Sequence, residues 1–140
     1  MSASWHQAFP EPASTPGRMS VEELHAQLTK AEKLDEILVV DVRRTDFENA
    51  FIRGAINLPA HSFYPTLPTL VHILSRYPTV VFYCGSSNGR GPRVAGWYQD
   101  ALDAQGITTS RAVVLEGGIK AWVQKFGESD LTCKLAVNSK

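Results

Sequence analysis

Three short runs of apolar residues stand out along the chain because polar side chains scarcely interrupt them. They occupy residues 37–42, 79–83 and 112–115. A strand that is apolar on both faces is typical of a parallel sheet with helices on both sides. We therefore expect three buried parallel strands at these positions.

Segments with helical periodicity separate these runs. Ser20 and Glu23 have the spacing of a capping box, and apolar residues recur behind them at helical intervals. The other expected elements are helices at 67–77, 91–106 and 119–126, a short helix within 44–50, and a brief strand at 55–59. Strands that alternate with helices in this way predict an α/β fold with a central parallel sheet.

The chain is expected to form one domain between two short terminal segments. Its 140 residues suit a single compact unit. Residues 1–17 contain three prolines and resemble an extended or mobile N-terminal arm. Residues 18–127 hold the predicted elements, and residues 128–140 form a short polar tail.

Composition and charge narrow the functional classes. The chain has 14 basic and 14 acidic residues and no basic run, which argues against a nucleic-acid partner. No apolar stretch approaches the roughly 20 residues of a membrane-spanning helix, and the N-terminus lacks the apolar segment of a signal peptide. Two cysteines suggest a reducing compartment, so we expect a protein of the cytoplasm or nucleus. The four histidines lack metal-ligand spacing, and we expect neither a metal nor another cofactor.

The segment that follows the second apolar run has the composition of an anion-binding loop. Its residues are Cys84, Gly85, Ser86, Ser87, Asn88, Gly89 and Arg90, followed by Gly91 at the start of a predicted helix. Glycines allow successive backbone amides to point inward around an anion. The helix adds its free amides and positive dipole end, and Arg90 adds a planar fork for a tetrahedral oxyanion.

Cys84 is the candidate nucleophile of this loop. A positive surrounding field favours the thiolate over the thiol, and a thiolate can attack phosphorus, arsenic or sulfur while the loop stabilises the developing charge. A free cysteine at a strand end is more often a small buried hydrophobe. The coincidence of cysteine, glycines, arginine and a helix start favours the nucleophile, and it makes Arg90 the expected oxyanion-binding side chain.

Three further charged residues lie close to the predicted strand and helix ends. Asp41 and Arg43 follow the first buried strand, and we expect them to form a structural ion pair rather than to act in catalysis. Arg93 lies one turn into the helix that follows the loop. It would either contact a substrate anion or remain a solvated charge.

Two further segments, together with the cysteine loop, resemble the rhodanese superfamily. Asp41-Val42-Arg43, then Phe47-Glu48 and Ile52 to Pro59, are similar to its first signature, and Val114 to Trp122 are similar to its second. The resemblance spans residues 21–126. It implies a rhodanese-like three-layer fold with a central parallel sheet of about five strands and helices on both faces.

The length of the loop points to one branch of that superfamily. Sulfur-transferring members usually have six residues from the cysteine onward, whereas this chain has seven, from Cys84 to Arg90. Seven is the length in the dual-specificity phosphatases of the cell cycle and in related eukaryotic arsenate reductases. The resemblance therefore implies a phosphate, arsenate or other small oxyanion, free or on a phosphorylated substrate.

Four functional classes follow, in order of preference. The first is a phosphatase that forms a phosphocysteine at Cys84. The second is an arsenate reductase that depends on an external thiol such as glutathione, with glutaredoxin or thioredoxin as partner. The third is a sulfurtransferase that carries a Cys84 persulfide. A non-enzymatic binding module comes last because the chain retains both Cys84 and Arg90.

The sequence departs from the phosphatase pattern at three points. Tyr83 stands where histidine commonly precedes the cysteine, the loop contains no acidic residue, and Val42 occupies the position of a second cysteine. Loss of a general acid typically costs about 10²–10⁴ in rate. The departures predict a site that needs a good leaving group or a borrowed thiol.

Overall fold

The computed structural model describes residues 5–135, which form a central sheet with helices on both faces. The strands are β1 (Gly17–Met19), β2 (Ile37–Asp41), β3 (Ala50–Ile52), β4 (Ile56–Asn57), β5 (Thr79–Tyr83), β6 (Arg111–Leu115) and β7 (Thr132–Lys134). Five of them form a parallel sheet in the order β1-β6-β5-β2-β4, and β3 pairs with β7 in an antiparallel ribbon. The predicted α/β fold is confirmed.

Four helices cover the two faces of the parallel sheet. They are α1 (Val21–Leu28), α2 (Ala60–Leu74), α3 (Arg90–Ala104) and α4 (Gly118–Phe126). Alternate residues of β5 supply the two cores: Val80 and Phe82 join the cluster with α2 and α3, while Val81 and Tyr83 join the cluster with α1 and α4. Burial on both faces explains why this strand has no polar alternation.

The buried strands lie where the sequence predicts them, whereas the predicted helix bounds agree with the structure only in part. Ser20 caps α1 as predicted, with its hydroxyl accepting a hydrogen bond from the Glu23 amide at 3.0 Å. Helix α2, in contrast, begins seven residues before the predicted start and contains Pro65 and Pro68. Prolines disfavour a helix interior, but burial of Phe63 and other apolar side chains of α2 outweighs that cost.

The short helix predicted within residues 44–50 is wrong. Residues 44–49 form turns, bends and irregular backbone, Ala50 begins β3, and Asn49 has a left-handed φ of 71°. The Arg43 guanidinium donates hydrogen bonds to the carbonyl groups of Asp46, Glu48 and Ala50, at 3.3, 3.2 and 2.7 Å. These carbonyl groups therefore accept from a buried side chain instead of from helical amides.

Both terminal segments pack on the domain over the part that the structure describes. The Trp97 indole of α3 donates to the Pro10 carbonyl at 2.8 Å, and the Asp100 carboxylate accepts from the amides of Ala13 and Ser14. The N-terminal arm then continues into β1 at the sheet edge, beside β6. In the tail, β7 completes the ribbon with β3.

No helix among residues 5–135 combines the length and the apolar character that crossing a membrane requires.

Candidate active site

The cysteine loop begins at the carboxyl end of β5 and leads directly into α3. Cys84 is almost fully buried. Its sulfur accepts hydrogen bonds from the backbone amides of Ser87, at 3.2 Å, and Gly91, at 3.3 Å. The Cys84 amide in turn donates to the Ser87 hydroxyl at 3.3 Å. Two backbone amides thus point at one sulfur, as in a backbone nest for an anion.

The first turn of helix α4 is hydrogen-bonded to the start of the loop. The amides of Ile119 and Lys120 donate to the carbonyl groups of Cys84 and Gly85, at 3.0 and 3.1 Å. Gly118 has a φ of +64°, and a Cβ added there would lie 2.5 Å from the Cys84 carbonyl oxygen. Only glycine fits this approach without displacing backbone. The first two loop carbonyls thus point toward α4.

Arg90 is held at the first turn of α3 by a carboxylate from another part of the chain. Its two terminal nitrogens donate to the two oxygens of Asp46 at 2.8 and 2.6 Å. Hydrogen bonds from Arg90 lower the pKa of Asp46 well below its usual range, outweighing partial burial, and the same hydrogen bonds raise the pKa of Arg90. Asp46 is therefore a carboxylate at neutral pH, and it orients Arg90 rather than donating a proton.

The chain matches a known protein family over most of its length. The family model described as a rhodanese-like domain matches residues 20–125. The chain belongs to the rhodanese-like domain family. This agrees with the resemblance stated above and with the parallel sheet that carries Cys84 at its carboxyl edge.

Relatives of this rhodanese-like domain include arsenate reductases and a phosphatase. Arsenate reductase 2.2 of Oryza sativa subsp. japonica is 34% identical over 112 residues, which cover 78% of this chain and 85% of that protein. Dual specificity phosphatase ibp1 of Schizosaccharomyces pombe is 26% identical over 113 residues, covering 69% and 81%. The solved structure of an As-Sb reductase from Leishmania major superposes with a TM-score of 0.73 at 27% identity, covering 89% and 90%.

Asp41 and Arg43 form a buried ion pair in this rhodanese-like domain. Nε of Arg43 lies 3.0 Å from Oδ1 of Asp41, and Nη2 lies 2.7 Å from Oδ2. Burial opposes charge on Arg43, but hydrogen bonds and the negative charge of Asp41 prevail and raise its pKa. The pair has the structural geometry expected from the sequence, and through the carbonyl of Asp46 it also shapes the segment that holds Arg90.

Tyr83 has a structural contact that the sequence did not reveal. Its hydroxyl accepts a hydrogen bond from the Ile52 amide at 3.2 Å, so the side chain ties β3 to the end of β5. Burial raises the pKa of Tyr83 well above its usual value. The residue before Cys84 is therefore a neutral phenol that is hydrogen-bonded to the backbone of β3.

The remaining predicted site residues have different surroundings. Ser86, Asn88 and Gly89 complete the turn between Cys84 and Arg90. Arg93 forms an ion pair with Glu11 of the N-terminal arm, with Nη1 2.8 Å from the carboxylate oxygen. Arg93 is thus paired with the N-terminal arm in this structure.

Asp46 is the site residue that sequence reasoning missed. It lies 44 positions before Arg90 along the chain. The signal available was its position between Arg43 and Glu48 in the first signature, but residues 44–50 were predicted to form a helix. With residues 44–50 taken as a helix, a contact between the Asp46 carboxylate and Arg90 was not expected.

We expect Gly118→Ala to destabilise the protein more than Gly106→Ala. The two glycines have similar φ values, +64° and +68°, so both alanines carry a left-handed strain of about 1–3 kcal/mol. A Cβ at position 106 meets nothing within 4 Å, whereas one at position 118 overlaps the loop backbone. Overpacking adds roughly 1–3 kcal/mol. Urea unfolding measures both losses, and equal losses would contradict the close contact of α4 with the loop.

We expect Asp46→Asn to lower stability at neutral pH and to have less effect in acid. A carboxyl whose pKa is lowered by folding stabilises the folded state above its unfolded pKa of about 3.9, and this stabilisation is lost as pH falls toward the folded pKa. The difference in unfolding free energy between wild type and variant should be constant above about pH 5 and narrow below about pH 4.

Chemical denaturation at a series of pH values measures that difference. Asp35→Asn, at an exposed turn, is the matched control for loss of a surface carboxylate. A difference for Asp46→Asn that keeps its full size in acid would show that Asp46 does not act as an ionised partner of Arg90.

Proposed function

We propose that this rhodanese-family protein reduces arsenate, with Cys84 as nucleophile and an external thiol as reductant. The observation that carries the proposal is the geometry of Asp46, which bonds Arg90 through both carboxylate oxygens. Among residues 5–135, no other carboxylate bonds a side chain of the loop. No carboxyl group of the site is therefore placed to protonate a leaving group, and the departing hydroxyl of arsenate takes the proton of the Cys84 thiol and leaves as water.

The first step forms a bond between sulfur and arsenic. Arsenate lies against the loop amides and the Arg90 guanidinium, which stabilise its negative oxygens. The Cys84 sulfur attacks arsenic, one arsenic–oxygen bond breaks, and the departing hydroxyl combines with the proton of the original thiol to form water. Arsenic remains pentavalent in this adduct.

The second step transfers two electrons to arsenic. The sulfur of an external thiol, such as glutathione, attacks the Cys84 sulfur, and the electron pair of the sulfur–arsenic bond stays on arsenic. Arsenite, now trivalent, leaves with the thiol proton, and Cys84 is left in a mixed disulfide. A second thiol, from glutathione or a glutaredoxin, attacks that disulfide and returns Cys84 to the reduced state.

The positions of the two cysteines support the need for an external thiol. Cys133 lies in β7 opposite Phe51 of β3, and neither it nor Cys84 forms a disulfide. The relatives of highest identity reported above include an arsenate reductase. The cysteines favour reduction by a borrowed thiol over an internal cysteine pair, and the relative supports arsenate as the substrate.

A phosphatase acting on aryl phosphates is the second candidate. The same loop would hold phosphate while Cys84 forms a phosphocysteine, and a phosphatase relative at 26% identity favours this reaction. The sequence pattern alone ranks it first. Asp46 offers no proton to a leaving group, which restricts this candidate to aryl phosphates. We rank it second because the arsenate reductase relative has the higher identity, 34% against 26%.

The test is one assay panel on wild type, Cys84→Ser and Cys133→Ser. Arsenate with glutathione and glutaredoxin, an aryl phosphate, and thiosulfate with cyanide are supplied in parallel. We expect arsenite formation by wild type, a loss of at least ~10³-fold in Cys84→Ser, and an unchanged rate in Cys133→Ser. Aryl phosphate hydrolysis without arsenate reduction would favour the phosphatase, and turnover that survives Cys84→Ser would exclude the nucleophile.

A further inference from the structure

A cleft of about 530 Å³ opens directly beside the cysteine loop. The segment around Glu48 forms one wall, α4 forms the other, and Gly85 of the loop lies between them. This volume is within the range of small-molecule sites, about 300–1,000 Å³. The cleft therefore reaches the cysteine loop at Gly85, the residue that follows Cys84.

The charges that line the cleft differ in whether they already have partners. Arg43 is paired with Asp41, and Asp46 is paired with Arg90. Lys120 on α4 and Glu48 on the facing wall form no ion pair among residues 5–135, and both are exposed. One positive and one negative charge are therefore available on opposite sides of the cleft.

Apolar side chains line the same cleft. Val123 is 41% exposed on α4, and Ile119, one turn earlier, also lines the cleft. An occupant that fits this surface carries a carboxylate, an ammonium group and an uncharged part between or beside them. These are the groups of an amino acid or a short peptide.

We propose that the cleft binds the thiol co-substrate, a small amino-acid-type thiol such as glutathione. Lys120 binds one of its carboxylates, Glu48 binds its ammonium group, and Val123 contacts its apolar part. The thiol then reaches the Cys84 adduct across Gly85, in the electron-transfer step written above. This inference rests on the proposed arsenate reduction and assigns a place to its second substrate.

The test compares Lys120→Glu with Lys125→Glu in arsenate reduction. Both variants make the same charge change on α4, but Lys125 pairs with Glu22 of α1 and does not line the cleft. Lys120→Glu should raise the KM for glutathione by about fivefold. A fivefold change corresponds to about 1 kcal/mol of binding free energy, the upper range for an exposed ion pair. Lys125→Glu should leave that KM near the wild-type value.

Two other measurements separate recognition of the thiol from general effects. With 2-mercaptoethanol, which carries no charge, both variants should match the wild-type rate. With glutathione diethyl ester, whose carboxylates are blocked, Lys120→Glu should no longer raise KM relative to wild type. The KM for arsenate should be the same in all three proteins.

The outcomes distinguish this inference from the function on which it rests. Equal KM values for glutathione in Lys120→Glu and Lys125→Glu, with arsenate still reduced, would overturn the thiol site alone. An equal rise in KM for glutathione and its diester would also overturn it. Absence of arsenate reduction by wild type with either thiol would overturn the proposed reductase, and the thiol site with it.

Discussion

The buried ion pair between Asp41 and Arg43 is the contact on which the rest of the site depends. Removing two charges from water is costly, and it is offset only when the geometry is good and the remaining hydrogen-bonding groups are satisfied. Arg43 meets this condition by donating to both Asp41 oxygens and to three backbone carbonyls. The hydrogen bonds that satisfy the buried guanidinium also fix residues 44–50, which carry Asp46.

From this segment the arrangement extends to the reacting sulfur. Asp46 fixes the Arg90 guanidinium, and α4 independently holds the first two carbonyls of the loop, so Cys84 is supported from two sides. The Asp46 carboxylate bonds Arg90 through both oxygens, so it has no proton to supply to a leaving group. The proposed arsenate reduction requires none from it. The cleft between these two supports is the proposed place of the thiol, beside Gly85.

Contiguity in sequence explains which features could be predicted. The buried strands could be predicted because β5 and its neighbours are apolar on both faces. The loop could be predicted because all its parts follow one another from Cys84 to Arg90. The role of Asp46 could not be predicted, since it depends on a contact with Arg90 across the fold and on backbone carbonyl groups that accept hydrogen bonds from Arg43. The sequence analysis did not predict the strands β1, β3 and β7, because each has only three residues and no strong apolar pattern. Each also pairs with a strand that lies far away along the chain.

Hydrogen–deuterium exchange of Arg43→Lys tests most directly whether the buried pair organises the site. Lysine retains a positive charge for Asp41 but cannot donate to the same set of carbonyl groups from one planar fork. Arg76→Lys, at an exposed position, is the matched control. We expect faster exchange in residues 44–50 and 84–91 of Arg43→Lys, with β6 and α3 beyond its first turn unchanged. Wild-type exchange in both segments would contradict it.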